Sequence, residues 1–140
     1  MEKVIIFVTG YSVDSLYSLE ALVTGAMNTN VNAEVIFNGT SVLAMTKQFY
    51  GKFQKSDIEN EYSKNIIEMW QAGEFPDVLS ILEKAKKANK LKVYLCQPCV
   101  EVFEKKFGKL DFFDIVDKKL NGVELFTALK QEKDYTFLTV

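Results

Sequence analysis

The sequence predicts a three-layer α/β/α fold around a mainly parallel sheet of about five strands. Two observations carry that expectation. Five short apolar, β-rich runs are spaced along the chain, and segments of helix length lie between them. Strands separated by helices form βαβ units, whose crossovers cover both faces of a parallel sheet. With 140 residues, 48% of them hydrophobic, and no internal repeat, linker or low-complexity tract, residues 1–140 read as a single domain. A chain of that length buries about two-thirds of its unfolded surface, enough for a core without disulfide staples.

The first strand is Val4-Ile5-Ile6-Phe7-Val8, followed by the turn Thr9-Gly10-Tyr11-Ser12. Asp14 and Ser15 are good N-caps, so a helix is expected to start near them. Its residues Leu16, Leu19, Leu22, Val23 and Met27 recur at three- and four-residue intervals, as a core-facing helix requires. Asn28-Thr29-Asn30 ends it. The second strand, Ala33 to Phe37, stops at Asn38-Gly39, and a helix is expected from Ser41 with Val42, Leu43, Met45, Phe49 and Phe53 along it. Asp57 to Ala72 reads as another, with Ile58, Tyr62, Ile66, Met69 and Trp70 at helical spacing. Pro76-Asp77 opens a further helix through Ala88, with Pro at the first helical position, where no N–H is needed. The third strand, Leu91 to Leu95, runs into Cys96-Gln97-Pro98-Cys99, and the next helix carries Val100, Phe103 and Phe107 to Gly108. Phe113 to Val116 reads as a short strand, Asn121-Gly122 as the cap of a helix from Val123 to Leu129, and Tyr135 to Val140 as the last strand.

Absent residue types exclude whole classes of chemistry. The chain has no His and no Arg, so it holds no Ser-His-Asp or Cys-His machinery, no imidazole metal ligand and no guanidinium clamp. Two Cys fall short of a four-ligand zinc site. The turn Thr9 to Ser12 lacks both G-x-G-x-x-G and the P-loop pattern, so no nucleotide cofactor is expected, and without His and with two Cys no metal is expected either. A net charge of −2, from 17 Lys against 19 acidic residues, argues against nucleic acid or an anionic membrane as partner. The opening MEKVIIFVTGYSVD has too short an apolar run for a signal peptide, and no window approaches ~18 apolar residues, so a cytoplasmic protein is expected. There, paired Cys are more often redox-active or metal-binding than structural.

Ligands of open parallel sheets collect where strands exit toward helices. Three exits stand out: Thr9 to Asp14, Asn38 to Ser41, and Cys96 to Cys99, the last holding both thiols. A thiol at a helix start faces unpaired amides and the positive end of the dipole, so a thiolate-rich Cys96 is the expectation. The plain alternative is that Cys96, ending a buried strand, packs as a small hydrophobe. Pro98 gives the pair the Cys-x-Pro-Cys form of thioredoxin. The motif, however, follows the third strand, and the only other proline, Pro76, precedes it. Tyr11, Ser12, Asn38, Gly39 and Gln97 are candidates for a pocket beside the thiols, against the simpler reading of turns and caps. Residues 47–76, rich in aromatic side chains, read as core with a surplus suited to an oligomer interface. Lys84, Lys86, Lys87 and Lys90 read as a solvated helix face.

The order KVIIFVTG, AEVIFNGTSVLAM, PDVLSILEKAKKANK, LKVYLCQPCVEV, FFDIVDKKLNGVELFTAL and YTFLTV resembles the DsrE/DsrF-like family, of the sulfur-relay TusD/DsrE type, over essentially the whole chain. The resemblance implies a flavodoxin-like fold, a homo-oligomer (trimer or hexamer), and Cys96 as the catalytic, sulfur-accepting residue. It further implies a persulfide on Cys96 that is passed from a sulfur donor protein to an acceptor thiol. Cys99 is less clearly a family feature, and it leaves open a disulfide with Cys96. Two other readings stand beside this one: a C-x-x-C thiol–disulfide redox protein, and a non-enzymatic oligomeric binding module with both Cys buried.

Overall fold

A computed structural model of the chain describes residues 3–53, 55–131 and 134–140; Met1 and Glu2 of the opening run lie outside them. The elements follow in the order β1 (Lys3–Val8), α1 (Val13–Asn28), β2 (Asn32–Phe37), a 3-10 helix (Gly39–Met45), α2 (Lys55–Glu59), α3 (Glu61–Ala72), α4 (Val78–Lys87), β3 (Leu91–Cys96), α5 (Gln97–Phe107), β4 (Lys118–Leu120), α6 (Gly122–Gln131) and β5 (Tyr135–Thr139). The five strands form one sheet in the order β4-β3-β2-β1-β5, and every neighbouring pair is parallel. The α/β architecture is the expected one. Its first strand lies second from an edge, beside β5, as it does in flavodoxin-type sheets beside their second strand.

That order explains where the helices lie. From β1 to β4 the chain steps in one direction, so right-handed crossovers put their helices on one face; the return from β4 to β5 puts α6 on the other. On the first face the register stacks Val4, Ala33 and Leu91, then Ile6, Val35 and Val93, then Val8, Phe37 and Leu95 in three rows. Leu16, Leu19 and Val23 of α1 and Val78, Ile81, Leu82 and Ala85 of α4 close over these rows as one apolar core. On the second face Ile5, Ile36 and Leu120 are buried, while Lys3 and Glu34 form an ion pair at 3.5 Å. Among the described residues α6 is the one helix over this face, and none of its own residues is buried.

Several boundaries differ from the sequence expectation, each for a local reason. The Ser12 side chain, rather than Asp14 or Ser15, caps α1, accepting from the Ser15 N–H at 3.1 Å. The helix expected from Ser41 is a 3-10 helix that stops at Met45. The Thr46 hydroxyl donates to Leu43 O and accepts from the Phe49 N–H, and Thr46 bridges to Phe112. Phe49 and Phe53 therefore lie on the turns beyond it. The helix expected over 57–72 is two helices, because Asn60 Oδ1 accepts from the Tyr62 and Ser63 N–H groups and starts α3 anew. Asp77, not Pro76, stands at the head of α4, as its N-cap, with Oδ1 2.9 Å from the Ser80 N–H. Phe113 to Val116 is not a strand. The edge strand is β4, which Asp117 aligns by accepting from the Val93 N–H at 2.7 Å and pairing with Lys86.

Candidate functional site

β3 passes into α5 with no intervening loop: Cys96 is the last strand residue and the N-cap of the helix. Pro98 falls in the first turn of α5, where its missing N–H costs no hydrogen bond. Cys99 is one turn on, so the two side chains meet, with sulfurs 2.8 Å apart. Both are free thiols and both are half-buried.

The neighbouring exit supplies the rest. Asn38 directly follows β2, and its Oδ1 lies 3.2 Å from Cys99 Sγ, while the Gly39 N–H donates to the same sulfur at 3.2 Å. Cys99 has one proton and two acceptors within reach, Asn38 Oδ1 and Cys96 Sγ. Gly39 adopts φ +61°, and a Cβ there would stand 2.9 Å from Thr9 O, so only glycine lets this amide face the sulfur. Behind it, the fully buried Ser41 hydroxyl lies 2.7 Å from Val8 O and accepts from the Asn38 N–H at 2.9 Å, locking the first two strand exits together. Ser41 is a site-shaping residue that sequence reading took for a helix start; the signal was a run of small polar residues directly after a buried strand.

The ionisation of Cys96 reverses the sequence expectation. Burial, the largest influence, and the adjoining Cys99 thiol push it up to about 11; the Cys99 backbone amide pulls the other way without compensating. Desolvation outweighs the helix start, and at pH 7 the thiol is the dominant form of Cys96.

The sequence-derived candidates separate into two groups. Cys96, Cys99, Asn38 and Gly39 come together. Tyr11 and Ser12 are committed elsewhere. The Tyr11 backbone N–H donates to Thr40 Oγ1 and its hydroxyl to Phe49 O at 2.5 Å, the ring packs on Phe53, and burial pushes the phenol up to about 12. Ser12 is the cap of α1. Gln97 turns along its own helix, donating from Nε2 to Glu101 Oε1 at 3.1 Å. Among the described residues no cluster of three His, Cys, Asp or Glu side chains is arranged to hold a metal, and no helix is long and apolar enough to cross a membrane.

No protein-family model matches the chain, and no curated protein sequence matches it. Among solved structures it is similar to the one described as the crystal structure of ychN protein from E. coli, with 19% identity, 99% of each chain covered and a TM-score of 0.54. A likeness at that identity concerns architecture: over its whole length the chain has the parallel-sheet α/β fold of that protein.

Proposed function

We propose that this protein handles sulfane sulfur, with Cys96 as the acceptor and carrier and Cys99 as its resolving partner. The observation that carries the reading is the pair of half-buried thiols, 2.8 Å apart, at the carboxyl edge of a parallel sheet. The Cys96 thiolate attacks the outer sulfur of a donor persulfide R–S–SH. A Cys96–S–SH persulfide forms, the donor S–S bond breaks, and R–S⁻ leaves and takes up the proton that Cys96 gave up. An acceptor thiolate then attacks the outer sulfur, returning Cys96 as thiolate. Cys99 offers a competing exit: its thiolate attacks Cys96 Sγ, the Cys96–Cys99 disulfide forms and hydrosulfide leaves. The thiol pair also supports the second reading, a thiol–disulfide redox protein.

Incubation with a low-molecular-weight persulfide followed by intact mass is expected to show a gain of one sulfur that is absent in Cys96→Ser. In Cys99→Ser that sulfur persists longer, because hydrosulfide cannot be expelled. With Cys96 pushed up to about 11, the loading rate rises about tenfold per pH unit between pH 7 and 10. No gain of sulfur on the wild type sinks the carrier reading. Equal loss of activity in both single variants, with a reversible disulfide in the wild type, favours the redox reading. The same proposal places the protein in the cytoplasm with donor and acceptor protein partners, and as a homo-oligomer. Support for self-association comes from Val123 and Phe126 on α6 and Phe137 on β5, all large, apolar and exposed.

A further inference from the structure

A cleft with a volume of about 270 Å3 opens between the turns after the 3-10 helix, α3 and the head of α4. The volume lies just below the usual range for small-molecule sites, roughly 300 Å3 and upward, so it suits only a small ligand. Tyr50, Phe53 and Trp70 give it aromatic walls, Ile67 and Val78 aliphatic ones, and Asp77 a carboxylate. It stands at the carboxyl edge of the sheet, since α4 begins there before returning to the start of β3, and ligands of such sheets bind along that edge.

The walls are built rather than incidental. The Trp70 ring is pinned by its Nε1–H, which donates to Glu20 Oε2 at 3.0 Å, and by packing against Tyr17, Phe53 and Phe75. Tyr50 accepts the Leu79 N–H on its hydroxyl oxygen at 3.3 Å, and the same hydroxyl is among the groups that favour the Asp77 carboxylate. Burial works against the charge on Asp77, but bonds from the Ser80 side chain and backbone and from Tyr50 outweigh it and hold the carboxyl below its ordinary value. Among the described residues no lysine lines the cleft, and none pairs with Asp77 or Glu20.

Asp77 Oδ1 already accepts the Ser80 N–H, yet among the described residues no lysine lines the cleft, so the carboxylate beside aromatic rings favours a cation over an anion. The carboxylate attracts a cation, and the aromatic side chains that line the cleft offer its alkyl groups apolar and cation–π contact; a neutral molecule gains the apolar contact alone. We propose that this cleft is a binding site for a small organic cation of the methylated ammonium class, its alkyl groups on the rings of Phe53 and Trp70 and its charge against Asp77. The site is separate from the thiols and stands whether or not the sulfur-handling reading does.

Trp70 is the only tryptophan in the chain, so its emission reports on the cleft directly. The probes are choline and its uncharged carbon analogue, in which tert-butyl replaces trimethylammonium, titrated into the full chain at constant ionic strength. Choline is expected to shift the emission saturably, with the analogue at least about tenfold weaker. Asp77→Asn removes the charge but retains the cap of α4, because Asn caps as well as Asp. That variant is expected to keep the wild-type circular dichroism and lose at least about tenfold in choline affinity. Phe53→Leu is expected to weaken choline as well. Equal binding of the two probes, no saturable response, or wild-type affinity in Asp77→Asn each overturns the proposal.

Discussion

At Cys96 two influences on one thiol oppose each other, and only one was visible in the sequence. Pro98 and the apolar run before Cys96 marked the helix start, and with it the amides that favour a thiolate. Desolvation comes from the way strand, helix and the second thiol close around the sulfur, and no spacing in the sequence encodes that. The same holds for Asn38 and Gly39, legible as a turn but not as the neighbours of Cys99, some sixty positions away. Gly39→Ala is expected to cost about 1–3 kcal/mol, from left-handed strain plus the contact with Thr9 O; denaturant unfolding measures it, and an unchanged midpoint contradicts the argument. Glu20 is a second case of burial opposing charge. Desolvation raises its carboxyl above the ordinary 4.5, the Trp70 bond lowers it, and the charge of Asp77 raises it again. The folded state thus holds this proton more tightly than the unfolded chain. The associated stability is fully present below pH 4.5 and is lost as pH rises through the raised value. Glu20→Gln retains an acceptor for Trp70 and carries no charge, so it should melt above the wild type at pH 7, the difference closing toward pH 4. A variant that melts lower at pH 7 sinks this account.

At the scale of elements, legibility followed how local the cause was. β1, β2 and β3 were readable because buried parallel strands are apolar runs with sharp polar ends. β5, an edge strand with no buried residue, was readable from its β-favouring run Tyr135 to Thr139. α5 was readable from Val100, Phe103 and Phe107 and the glycine at its end. Asn121 did cap the last helix, in a reciprocal pairing: Asn121 Oδ1 accepts from the Glu124 N–H, and Glu124 Oε1 from the Asn121 N–H. The misread stretches have long-range causes. Val42, Leu43 and Met45 fit helical spacing, yet the bridge from Thr46 to Phe112 ends that segment early. Phe113 to Val116 is more apolar than Lys118 to Leu120, but Asp117 sets which three residues meet β3. α6 forms from its own cap and spacing while burying no residue, so it is expected to open before α1. In native-state hydrogen exchange its amides should exchange at least about a hundredfold faster than those of α1. Equal protection of the two helices would mean that something holds α6 down.

For the whole molecule, the sheet order makes the two faces unequal. Alternation predicted layers on both sides but could not say that a single helix would make one of them. That asymmetry follows from β5 docking beside β1 rather than beyond β4. The consequence for stability is measurable. Leu19 is fully buried between α1 and the sheet, and Leu19→Ala should cost about 2–5 kcal/mol. Leu129, half-buried under α6, should cost about 1 kcal/mol when cut to Ala, because little area leaves water there. Comparable losses at the two positions would show that the second layer is as firmly packed as the first. A last consequence belongs to the junction of β3 and α5, where strand becomes helix without a single connecting residue. On the carrier proposal, sulfur held there rides on no tether and is not swung outward for delivery. Whatever molecule collects it must bring its own reach, presenting its reactive atom on a projecting tip that travels the whole distance.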